Sequence, residues 1–155
     1  MIAIASTAIT LALVFSTIGV FAERRAGTLK HGHIIFFYMG LVFDTAGTAV
    51  MSVIARGNSA NLAHATTGLL AIILMIIHAA WATIAYAKKN PETLSRFHRL
   101  SIGVWLVWLV PYVCGMLMGI PALKLDSNVA FASAIGTSVV AGLLIFGAEA
   151  KRLRQ

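Results

Sequence analysis

One cysteine stands in a chain of 155 residues, Cys114, and it lies inside an apolar run. A lone thiol builds neither a disulfide framework nor a thiolate metal cluster, so it reads as a small hydrophobe. Charge is equally scarce: only 11% of the residues are charged, and five of them are acidic. Set against 59% hydrophobic residues, that scarcity marks a membrane protein, with the lipid bilayer as its first partner. No internal repeat and no low-complexity linker is visible, which fits a single domain over residues 1–155 and argues against a stand-alone transporter built from inverted repeats. The net charge of +7 would elsewhere suggest nucleic acid. Here the basic residues sit between apolar runs, where topology explains them, and no nucleic-acid partner is expected.

Five apolar segments are present: Ile2 to Ala22, Ile34 to Ala55, Leu62 to Ala87, Leu100 to Ile120 and Val129 to Ala148. Each has roughly the twenty residues a spanning helix needs. The first is followed, not preceded, by its positive charges (Arg24, Arg25, Lys30) and shows no clear cleavage site, so it is expected to stay attached. Ten of the twelve basic residues then fall on one side of a five-span arrangement, with only Arg56 and Lys124 on the other. The positive-inside rule puts the N-terminus outside and the C-terminus in the cytoplasm. The fold expected is therefore an all-α integral membrane protein, a bundle of five transmembrane helices.

The three prolines agree with these limits. Asn90 and Pro91 look like an N-cap and a first helical residue, Pro111 should bend the fourth helix by freeing a carbonyl near Val107, and Pro121 sits where that helix ends. Gly115 and Gly119 form a GxxxG through which a second helix could approach, which places a homo-oligomer among the expected partners.

Ionisable groups inside a membrane are costly, so each needs a reason. His64 and His78 lie fourteen positions apart on the third segment. That spacing returns to within about 40° of the same helix face, with roughly 21 Å between the two along the axis. Thr67, Gly68, Ala71, Met75 and Ala82 share the stripe, and their small size leaves a groove suited to a flat cofactor. Antiparallel packing of the third and fourth helices, with the turn near Lys89, sets His78 level with Leu100 and so within about 3 Å of the depth of His98. His78 with His98, or with His33 from the second helix, can thus supply the two axial ligands of one heme iron. His31 lies beside His33 and reads as an interfacial residue, a reading open for His98 too.

The second helix carries a further stripe: His33, Phe37, Gly40, Asp44, Gly47 and Met51. Asp44 is the one carboxylate deep within the segments drawn, in the polar run Asp44, Thr45, Gly47, Thr48. It can orient a ligating histidine, take part in a proton or quinol path, or bond a neighbouring helix as packing glue; Asp44 and Thr48 are the candidate catalytic residues. The outer half offers no second histidine for His64; Met51, Met116 and Met118 lie near it, and methionine can also ligate heme iron. Trp105 and Tyr112 share the His98 stripe and line a ring or simply pack, as Trp108 does; Trp81 and Tyr86 read as interfacial anchors.

The order of motifs resembles a family. His33, then DTAGT (Asp44 to Thr48), HATTGLLAIILMIIHAAWA (His64 to Ala82) and RFHRLSIGVWLVWLVPY (Arg96 to Tyr112) look like the small membrane proteins of the HsmA family, linked with bacterial heme stress, over roughly residues 1–120. The resemblance implies a heme connection, a prokaryotic cytoplasmic membrane, and functional weight for His33, Asp44, His64, His78 and His98. The histidine layout is also similar to transmembrane b-type cytochromes, in which one helix carries two ligands about fourteen residues apart. The leading expectation is a b-type cytochrome binding one or two copies of heme b through His33, His64, His78 and His98. It would pass electrons between a quinol pool and a redox partner protein, as a quinol-linked oxidoreductase or an electron-transfer subunit of one. The alternatives are a heme or metal handling protein using the same histidines, and a cofactor-free scaffold subunit.

Overall fold

The structure, a computed structural model, describes residues 2–55, 62–119 and 125–152; the side chains of 55, 62–65, 119 and 152 lie outside that description. Among these residues the chain forms five helices: α1 (Ile2–Ala26), α2 (His31–Ala55), α3 (Leu62–Lys88), α4 (Pro91–Gly119) and α5 (Ser127–Arg152). Each holds a segment long and apolar enough to cross a membrane.

All five helices outrun the apolar segments, α3 by a single residue, and local caps carry them into polar sequence. Asn90 opens α4: its Oδ1 accepts the Glu92 N–H at 2.9 Å and its carbonyl accepts the Leu94 N–H at 3.0 Å, with Pro91 in the first helical position. Asp126 does the same for α5 through the N–H groups of Asn128 (2.8 Å) and Ala130 (3.0 Å). At the other ends, Gly27 with φ +61° terminates α1 and Lys89 with φ 50° terminates α3. Pro121, Arg56 and Lys124 lie outside the described residues.

The chain divides into two compact units, Met1–Trp105 and Leu106–Gln155, and α4 runs through both. In the first, α1 and α2 pack antiparallel in near backbone contact. A Cβ on Gly47 would sit 2.5 Å from Ile9 Cγ1 and 3.2 Å from the Ala5 carbonyl oxygen, one on Gly40 would meet the Ser16 hydroxyl, and one on Gly19 would lie 2.8 Å from Phe37. The approach is possible because α1 presents a mostly small stripe, Ala5, Ala12, Ser16, Gly19 and Val20, ending in Glu23. Helix α3 lies against α2, with Tyr38 Oη 3.1 Å from Thr83 Oγ1 and a Cβ on Gly40 reaching within 3.2 Å of Met75. It buries Ala71, Met75, His78, Ala82 and Ala85, one face at helical spacing, while Leu69, Leu70, Ile73, Ile76, Ile77 and Ile84 stay exposed on the other. So large an exposed aliphatic face suits lipid, not water.

The first half of α4 completes this unit through side chains. Trp105 Nε1–H donates to Thr17 Oγ1 at 3.1 Å and its ring meets Phe21 edge-on at 5.6 Å; Phe37 and Phe97, 6.0 Å apart, join α2 to α4. In the second unit α5 packs on the remainder of α4. The Ser138 hydroxyl donates to the Leu106 carbonyl at 2.6 Å, one residue from the Val107 carbonyl whose helical donor Pro111 removes.

Candidate functional site

Glu23, His33 and His98 lie toward the α1–α2 connection of the first unit. Gly19 stands level with Phe37, Ser16 with Gly40 and Ile9 with Gly47. Continuing that register by one turn sets Glu23 level with His33, and His33 lies in the field of the Glu23 carboxylate.

His33 is the third residue of α2. Its backbone N–H bonds the Lys30 carbonyl at 3.0 Å, and its Nδ1 accepts the Lys30 N–H at 3.1 Å, a reciprocal closure like that of a capping box. With Nδ1 engaged as acceptor, the proton of the neutral ring resides on Nε2. An imidazole that ligates iron through Nε2 has the opposite arrangement, with Nδ1–H donating and Nε2 bare. As placed, the His33 ring is committed to the cap.

His78 is held on three sides. Phe97 stacks on it at 5.3 Å with 18° between the planes, Phe37 leans on it at 4.6 Å, and its Nε2 lies 3.0 Å from Ser101 Oγ. The ring thus meets α4 between Phe97 and Ser101, the depth of His98. His98, however, leaves α4 about 100° round from Phe97 and turns to α1 instead. The two imidazoles share a level but not a face.

On that second face His98 Nδ1 lies 2.9 Å from Glu23 Oε1, with the His98 side chain 33% exposed and that of Glu23 only 3%. An ionised carboxylate only accepts, so it draws the ring proton to Nδ1 and leaves the Nε2 lone pair available. This carboxylate–imidazole arrangement is the usual support of a ligating histidine. The second oxygen of Glu23, Oε2, is buried without a hydrogen-bond partner. Removing a carboxylate from water costs several kcal/mol even after relaxation, and a hydrogen bond to a charged group returns about 1.5–3 kcal/mol. For an ionised Glu23 the bond to His98 alone does not offset that cost, so stability is a poor account of why the carboxyl is there.

The chain matches no family model, no curated protein and no solved structure.

Heme, the group implied by the resemblance and the histidine layout, draws four of its iron ligands from the macrocycle and asks one or two of the protein. Among the described residues no group of three or more His, Cys, Asp or Glu could hold a bare ion, whereas His98, with Nδ1 turned to Glu23, has Nε2 as the nitrogen to offer heme iron. His78 has the right residue type and depth, but its Nε2 is engaged by the buried Ser101 hydroxyl. The donors therefore fit the group, His98 as it stands and His78 on releasing Ser101.

The remaining candidates lie elsewhere. Asp44 is buried and Thr48 half-buried on α2, but Asp44 is about 16 Å along the helix from His33 and apart from the histidine cluster. The backbone of His64 belongs to α3, and its side chain lies outside the described residues. His31 is exposed, its ring 6.1 Å from that of Tyr86. Met51 is half-buried and Met116 exposed, while the Cys114 thiol approaches Met118 Sδ at 3.7 Å. Trp108 stacks on Tyr112 at 5.7 Å in the second unit.

Sequence reasoning passed over Glu23, Phe97 and Ser101. Glu23 stood one residue beyond the drawn end of the first apolar run, beside Arg24 and Arg25, and was not singled out. Its helical phase held the missing signal: Ala12, Ser16, Gly19 and Glu23 recur at intervals of four, three and four, a buried stripe.

Proposed function

We propose that this chain is a heme-binding integral membrane protein of the b type that carries electrons between a quinol pool and a partner protein. The observation that carries the reading is the bond from His98 Nδ1 to the buried Glu23, which leaves Nε2 free to meet iron. His98 is the first ligand in this reading. His78 meets another face of α4, so it becomes a second ligand only by leaving Ser101 and turning toward the His98 face, and His33 joins only by giving up its cap. Heme would supply the one-electron chemistry, and the protein the ligands, a dry setting and a tuned potential. The cluster end faces the cytoplasm of a prokaryotic cell, where most of the basic residues lie, with the N-terminus outside. In the other half, Asp44, Thr48 and His64 are the candidates for proton or quinol contact.

A second reading, heme handling by reversible binding, is favoured by one observation: a third of the His98 side chain is exposed, so a cargo could reach it without unfolding the bundle. One preparation tests both. Detergent-purified protein is expected to show a Soret band and a pyridine hemochrome of heme b, lost in His98→Ala. Reduction by a quinol with heme retained against an apo-acceptor supports electron transfer, and loss of heme to the acceptor supports handling. Protein from heme-replete cells that stays colourless after hemin addition rejects both.

A further inference from the structure

We infer that Glu23 is the positioning residue of this site, fixing the tautomer of His98 and raising the basicity of the nitrogen that His98 offers to iron. The inference rests on the reading of His98 as a heme ligand and adds a function to a residue on another helix. Three observations carry it. The carboxylate is almost wholly buried and bonds His98 Nδ1 at 2.9 Å, seventy-five residues away in sequence. It sits at the end of the small stripe that clamps α1 on α2, so its backbone is held where rotation is least free. Its Oε2 is buried without a partner, a cost that a neutral glutamine, equally able to accept from Nδ1–H, would reduce. A group kept only to hold the ring would not need the charge. A group that pushes electron density through the ring onto Nε2 does.

The test begins without heme. In apo protein carrying ¹⁵N-labelled histidine, the His98 signal, assigned by its loss in His98→Ala, is expected to show a protonated Nδ1 and a bare Nε2. Glu23→Gln should keep that tautomer, because the amide oxygen still accepts, and Glu23→Ala should release the ring to the Nε2–H form. A wild-type His98 protonated on Nε2, or a tautomer indifferent to Glu23→Ala, overturns the inference. Hemin titration and redox potentiometry follow. Glu23→Ala should bind hemin about 10- to 100-fold more weakly. Glu23→Gln should bind with nearly wild-type affinity but a higher midpoint potential, since a less basic ligand stabilises ferric iron less. An unchanged potential in Glu23→Gln, with the loss in Glu23→Ala matched by lower thermal stability, leaves Glu23 a structural residue and overturns its role toward iron. Failure of the wild type to bind hemin, with the tautomers as expected, overturns the heme reading while the hold of Glu23 on His98 stands.

Discussion

Ser101 and Glu23 show how differently two buried side chains can serve neighbouring histidines. Ser101 is 1% exposed and bonds His78 Nε2. Ser101→Ala leaves a buried ring nitrogen unpaired, and unfolding in detergent is expected to report a loss of about 1–3 kcal/mol. If His78 is the second iron ligand, the same substitution should leave hemin affinity unchanged or raise it, because the competing hydroxyl is gone; a fall in affinity equal to that in His78→Ala counts against His78 as ligand. Legibility at this scale followed helical phase. Phe37, Gly40, Asp44 and Gly47 were placed on one face by their spacing, and the structure buries them all. Ala71, Met75, His78 and Ala82 behave alike on α3. The pairing of His98 with Glu23 was not legible, because it joins two helix ends that only the closed bundle brings together.

At the level of the helix, glycines and a proline set how closely elements meet. A Cβ on Gly47 presses against a flexible Ile9 side chain at 2.5 Å but also against the Ala5 carbonyl oxygen at 3.2 Å, and backbone cannot step aside. Gly47→Val is therefore expected to destabilise the first unit by about 1–3 kcal/mol, read as a lower unfolding midpoint in detergent. Gly103→Ala, with nothing within 4 Å of the new methyl, is the matched control and should be near neutral or slightly stabilising. On α4 the proline inside the helix was legible as a lost N–H at Pro111, but the serine that bonds the neighbouring Leu106 carbonyl came from α5. Ser138→Ala should cost about 0.6 kcal/mol, the usual scale for a side-chain hydrogen bond in a membrane helix pair, and leave heme binding untouched. The helix number was legible because each apolar run is long enough to span a bilayer. The start of α4 was legible too, from Asn90 and Pro91, whereas the starts of α5 and α2 were not, because capping by Asp126 and His33 carries them past the point where hydropathy falls.

For the molecule as a whole, the apolar exterior and the charge map make one joint prediction. Exposed aliphatic side chains such as Ile73, Ile77, Leu143 and Leu144 need hydrocarbon around them, so the helices are expected to lie across a bilayer. Their direction then follows from the basic residues. Arg24, Arg25 and Lys30 flank the α1–α2 connection and Lys88, Lys89, Arg96 and Arg99 the α3–α4 connection. Moving either group across the membrane would oppose the positive-inside bias, so both connections should face the cytoplasm, taking Glu23, His33 and His98 with them. Cys114 is buried, so the native chain offers a quiet background for thiol labelling. A cysteine at exposed Gly27 or Asn90 should react with a membrane-impermeant maleimide in inverted vesicles but not in intact cells, and one at Ala3 should show the reverse. Labelling of Gly27→Cys from outside intact cells would invert the topology. It would move the histidine cluster to the outer surface and make heme capture from outside the cell a better reading than exchange with a cytoplasmic partner.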